Sequence, residues 1–169
     1  MAIIKCTAKL LKDLGVKPAN AAGESPGLFE WHANLLRLDR KKYVLFTNDQ
    51  TLYSFLVRWT KMPKTEGLPE RFRLGLFKNL MSEGLPEKQI EWLMRQHAQI
   101  EITKTNSRSV LGSMNDLAFQ VKYMVYRNGR LDETELPEMT RQLNRTPMSA
   151  IERIFSIDEL KHKLADADE

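Results

Sequence analysis

The sequence predicts an α+β domain: a small, mainly antiparallel sheet packed on a long central helix, with a peripheral helical hairpin. Three observations carry this. Two strand-like segments, 31–38 and 43–47, flank the charged turn Asp39-Arg40-Lys41-Lys42. A helical pattern runs from 107 to 127 without a break. Between them, two shorter helical patterns meet at Gly84-Leu85-Pro86.

The elements follow in order. Residues 2–6 form a first strand. Residues 8–14 have helical spacing and stop at Gly15, suited to the left-handed residue after a helix. Residues 17–27 are a loop by composition, and the hairpin follows. Asn48-Asp49-Gln50 forms a turn. Residues 51–57 make a third apolar segment, read as a strand with helix as the alternative. A loop over 60–69 precedes helices at 70–83 and 87–97. Ile100-Glu101-Ile102-Thr103 is a short strand. After the long helix, Asn128-Gly129 supplies the stop. A short helix at 134–143 leads to Leu143-Asn144-Arg145-Thr146-Pro147. Ser156-Ile157-Asp158-Glu159 matches a capping box and opens the last helix.

Length and composition narrow the class. A chain of 169 residues fits one domain, here expected over 1–169, with enough core to need no disulfide or metal staple. Cys6 is the single cysteine and lies among Ile3 and Ile4, so it reads as a small buried hydrophobe in a reducing, cytoplasmic setting. No secretory leader or membrane-length apolar run is visible. The net charge of +4 permits nucleic acid or nucleotide as a partner. The densest basic cluster, Arg37, Arg40, Lys41 and Lys42, reads as a solvated turn.

The candidate site centres on Thr105 through Asp116. On a helical wheel, Val110, Leu111, Met114, Leu117, Ala118, Val121, Met124 and Val125 share one face, and Phe119, Tyr123 and Tyr126 lie opposite. Two apolar faces predict a helix buried between layers. Two polar stripes separate them: Ser109, Ser113, Asp116 and Gln120, and Arg108, Asn115 and Lys122. Gly112 would admit a backbone or ligand. Unpaired N–H groups at the helix start favour an anion, and Arg108 adds a fork-shaped cation. Asn106, Arg108, Ser109 and Asn115, joined by Asn144 and Arg145, are the expected ligand-binding residues. The structural alternative is an internal network in which Asp116 pairs with Arg108 or Arg145.

His32, His97 and His162 are not spaced as metal ligands, so neither a metal nor another cofactor is expected. On an alternating strand His32 shares a face with Asn34. If that face meets the long helix, His32, Asp116 and Ser113 would resemble a hydrolytic arrangement, although no Gly-x-Ser-x-Gly elbow is present.

Four segments carry a family resemblance: Trp31-His32-Ala33-Asn34-Leu35, Val44-Leu45-Phe46-Thr47-Asn48, Thr105 through Asp116, and Leu143-Asn144-Arg145-Thr146-Pro147. The chain resembles small bacterial proteins classed as a domain of unknown function. Members are similar, more loosely, to proteins of plasmids and mobile elements. The resemblance implies a bacterial cytoplasmic α+β domain and nucleic-acid or defence-related work. It transfers no catalytic residue. The leading expectation is a binding module for a phosphate-bearing ligand or nucleic acid. A metal-independent hydrolase or nuclease using His32 and Asp116 is the first alternative. A protein-interaction subunit, with a protein partner or a second copy and a structural polar core, is the second. No membrane partner is expected.

Overall fold

The computed structural model describes residues 1–20, 27–60 and 67–167. The expected loops at 17–27 and 60–69 fall in large part outside the described residues. The chain forms β1 (Ala2–Cys6), α1 (Ala8–Leu14), a 3-10 turn at Gly27–Phe29, β2 (Glu30–Leu38), β3 (Lys41–Asn48) and β4 (Ser54–Arg58). It continues through α2 (Leu68–Ser82), α3 (Glu87–Gln96), β5 (Ile100–Lys104), α4 (Arg108–Asn128), a 3-10 turn at Glu133–Glu135, α5 (Leu136–Leu143) and α6 (Ser156–Ala167). The class is α+β.

The sheet order is β4-β3-β2-β1-β5. Its longest ladder, β2 with β3, is antiparallel, as is β3 with β4; β1 pairs in parallel with β2 and β5. The β2–β3 turn is tighter than the sequence suggests. Asp39 and Arg40 alone form it, both at positive φ (49° and 64°), and Lys41 and Lys42 join β3. Two positive φ values give the turn the twist that antiparallel strands require.

Helices cover both faces of the sheet. Trp31, Phe46 and Phe55 on one face pack with Phe72 and Leu76 of α2, Ile90 and Leu93 of α3, and Leu160 of α6. Leu36, Tyr43 and Leu45 on the other pack with Val110, Met114, Leu117 and Val121 of α4 and Met139 of α5. Gly75 is what lets α2 approach β4. A Cβ there would lie 2.7 Å from Val57 Cγ2 and 2.9 Å from Phe55 Cε2. The helix ends follow the sequence signals. Gly15 and Gly129 take left-handed conformations, and Ser107 caps α4 by accepting from the Val110 N–H. The capping box at α6 does not form. Ser156 Oγ instead donates to Asn144 Oδ1 at 2.8 Å, and the buried Glu159 accepts from the Arg153 N–H.

The long helix is apolar toward the sheet only. Phe119, Tyr123 and Tyr126 are 73%, 58% and 84% exposed, so the expectation of a helix buried between two layers is corrected. The wheel located both apolar faces, but a single sheet is there to cover one of them.

Candidate functional site

The sheet face that carries α4 changes character along the strands. Leu36, Leu38, Tyr43, Leu45 and Leu56 lie under the helices. Further along, one register row crosses all five strands as Ser54, Thr47, His32, Lys5 and Thr103, and every member is buried. Period-two alternation places these side chains on one face. His32 Nδ1 lies 2.6 Å from Asp49 Oδ1, and Lys5 Nζ lies 2.7 Å from Asp49 Oδ2 and pairs with Glu30 as well. Burial by itself would lower the Lys5 pKa. The hydrogen bonds to Asp49 and Glu30 outweigh it, and the ammonium is held charged.

This cluster corrects the expected hydrolytic arrangement. His32 bonds Asp49, and its buried Nε2 has no hydrogen-bond partner. Asp116 is exposed on α4, and with Ser113, Phe119, Gln120 and Met148 it borders a separate cavity of about 370 Å³. Ser113 and Asp116 are therefore together, and His32 is not with them. The sequence carried a signal for the real partners: Lys5 interrupts an otherwise apolar strand, and Glu30 opens the strand that bears His32. A charge buried in a strand requires a counter-charge.

The second pair of expected ligand residues is committed elsewhere. Asn144 is fully buried. Its Oδ1 accepts from the Ser54 N–H and Ser156 Oγ, and its Nδ2 donates to Ser54 O and Thr140 O. Both donors and both acceptor positions of the amide are occupied. Asn144 thus stands in for one residue of a further strand beside β4. Arg145 forks onto Glu83, with Nη2 at 2.8 Å from Oε2, and that hydrogen bond holds its guanidinium further in the charged form. It does not pair with Asp116. Neither residue is free for a ligand in the way the sequence suggested.

The other four expected ligand residues, Asn106, Arg108, Ser109 and Asn115, are all exposed at the start of α4 and along its outer face. No ion pair ties Arg108 down among the described residues. Gly112 has open space around its missing Cβ, so among the described residues no backbone packs closely against it. At about 100° per residue, Arg108, Asn115, Phe119 and Tyr126 fall within a narrow arc, with Lys122 and Tyr123 on its two sides. The result is one solvent-facing strip about 30 Å long that carries aromatic rings and cations. Arg127, Arg130 and Lys104 are exposed near its ends, and Asp116 is the helix's exposed carboxylate. Sequence reasoning assigned these aromatics to the interior and set Arg108, Asn115 and Lys122 apart from them as a separate stripe, and so missed the strip; the helix angles place the two together.

Among the described residues no group of three His, Cys, Asp or Glu converges as a metal site, and no helix is long and apolar enough to cross a membrane. No curated protein matches the chain. A family model does match, over residues 3–159, and the chain belongs to that family: Domain of unknown function (DUF6933).

Proposed function

We propose that the protein is a nucleic-acid-binding module that receives a single strand along the outer face of α4. One observation carries the reading: Phe119, Tyr123 and Tyr126 stand in solvent on the same strip as Arg108, Asn115 and Lys122. Exposed rings offer every base a stacking surface, and interleaved cations follow the phosphates. Three large aromatics on one exposed helix face are costly to leave in water, and apolar exposure of this kind marks an interaction surface. Support also comes from the start of α4, where Ser107 caps only the Val110 N–H and Asn106, Arg108 and Ser109 are exposed beside the remaining first-turn N–H groups, which favour an anion such as a terminal phosphate. The basic net charge of +4 favours the same partner.

The test is fluorescence anisotropy with a labelled 12-nucleotide single strand at increasing salt. Affinity should fall steeply with salt because phosphate contacts release counterions. Tyr126→Ala should weaken binding at least tenfold, in line with about 1–3 kcal/mol per stacked base. A flat salt response, or an unaffected Tyr126→Ala protein, overturns the proposal.

A further inference from the structure

Asp116 stands apart from the cations and rings of the α4 strip. It is exposed, and no ion pair or hydrogen bond engages it among the described residues. A carboxylate here opposes a phosphate, and what it can receive is hydrogen-bond donors. At about 100° per residue, Asp116 falls between Phe119 and Gln120 around the helix. All three border the cavity of about 370 Å³ between α4 and residues 147–150.

The cavity has the parts of a base pocket. Phe119 lines it from α4, and Pro147 and Met148 line it from the segment after α5. Thr146 Oγ1 donates to Gln120 Oε1 at 2.9 Å, which holds the amide and leaves its Nε2 without a partner among the described residues. The polar side of the cavity therefore offers two acceptor oxygens on Asp116 and a donor on Gln120. Guanine presents the complement: N1–H and the N2 amino group side by side, with the O6 acceptor next to them. Adenine and cytosine set a ring-nitrogen acceptor beside the amino group. Thymine and uracil set N3–H between two carbonyls. Each of these would leave one carboxylate oxygen facing an acceptor.

We infer, building on the single-strand reading of α4, that this cavity is a guanine pocket. A guanine of the bound strand stacks on Phe119, donates N1–H and an N2 hydrogen to Asp116, and accepts from Gln120 Nε2 at O6. Unstacked bases are read in this way, by an aromatic face and by hydrogen bonds to the Watson–Crick edge. The charge on Asp116 strengthens both of the bonds it accepts. The cations of the strip hold the phosphates, and Asp116 selects the base.

The probes are three fluorescein-labelled 12-nucleotide DNA strands: thymidine alternating with guanosine, thymidine alternating with inosine, and thymidine alone. Inosine keeps the ring system, N1–H and O6 of guanine and lacks only the N2 amino group. Losing one hydrogen bond to a charged group weakens a contact about tenfold or more. Alternate registers place thymine in the cavity, so anisotropy should show the guanine strand binding the full chain about fivefold more tightly than the inosine strand. Asp116→Asn, which replaces one acceptor with a donor, should abolish or reverse that difference. Asp116 is exposed, so the variant should unfold at the wild-type temperature. Equal affinities of the guanine and inosine strands for the wild type, or a difference that survives in Asp116→Asn, would overturn the guanine pocket; binding of the thymidine strand would then leave the α4 reading standing. No binding by any of the three strands would overturn both.

Discussion

His32 Nδ1 lies 2.6 Å from Asp49 Oδ1, while Asp116 stands exposed on a different element. That relationship assigns the buried histidine its partner. Asp49 is also the second carboxylate on Lys5, so its removal leaves a buried ammonium with one counter-charge and takes from the buried His32 ring its hydrogen bond at Nδ1. Breaking such a pair from one side costs about 3–5 kcal/mol. Asp49→Ala should therefore lower unfolding stability in urea by about 3 kcal/mol. Asp116→Ala should change it by less than about 0.5 kcal/mol. The reverse ranking would return His32 to the α4 site.

His97 should make stability fall in acid. It is fully buried; its Nε2 accepts from Trp31 Nε1 at 2.9 Å, and its Nδ1 donates to Leu93 O at 2.7 Å. Burial lowers its pKa from 6.5 to about 4. The unfolded chain takes up this proton first, so the contribution to stability is complete above pH 6.5 and is lost as pH falls toward 4. The difference corresponds to about 3 kcal/mol. Urea unfolding from pH 7 to 4 should show this decline, and His97→Gln should flatten it. An identical slope in the variant would assign acid sensitivity to other groups.

Asn144 pairs with the outward peptide groups of Ser54 at the β4 edge of the sheet. Replacing it with Ala leaves the Ser54 N–H and C=O unpaired in a buried setting. Each such group costs about 1–3 kcal/mol, so Asn144→Ala should lower stability by about 2–4 kcal/mol. The Ser54 amide should then exchange faster with solvent. Unchanged exchange would show that another group serves this edge.

Gly75 tests the packing of α2 on β4. An alanine gains about 1 kcal/mol in helix propensity. Its Cβ, however, meets Val57 Cγ2 at 2.7 Å and Phe55 Cε2 at 2.9 Å. Overpacking costs about 1–3 kcal/mol, so Gly75→Ala should destabilise on balance. A stabilised variant in thermal unfolding would mean the helix shifts freely.

The elements were legible where local chemistry decides them. Gly15 and Gly129 end helices, and the alternating segments around Asp39-Arg40 form the hairpin. The partnerships were not. Asp49 reads as a turn residue because it follows Asn48. Only the register of β2 with β3, Trp31 opposite Asn48, brings it beside Glu30 and His32. Asn144 looked free because its partner, Ser54, is ninety residues away in sequence. Ser156 has the right spacing for a capping box, but tertiary contact with Asn144 takes its hydroxyl. For α4, the wheel found two apolar faces, and only the tertiary fold determines which one is covered.

The central claim, that exposed rings on α4 stack on bases, is tested most directly by comparing two ligands of equal charge. One is a 12-nucleotide single strand, and the other is an abasic strand of the same length. Anisotropy at one moderate salt concentration gives both affinities. Stacking on Phe119, Tyr123 and Tyr126 predicts that the abasic strand binds at least tenfold more weakly, and that Phe119→Ala/Tyr126→Ala removes the difference. Equal affinities for the two strands would contradict the account and leave only attraction to phosphates.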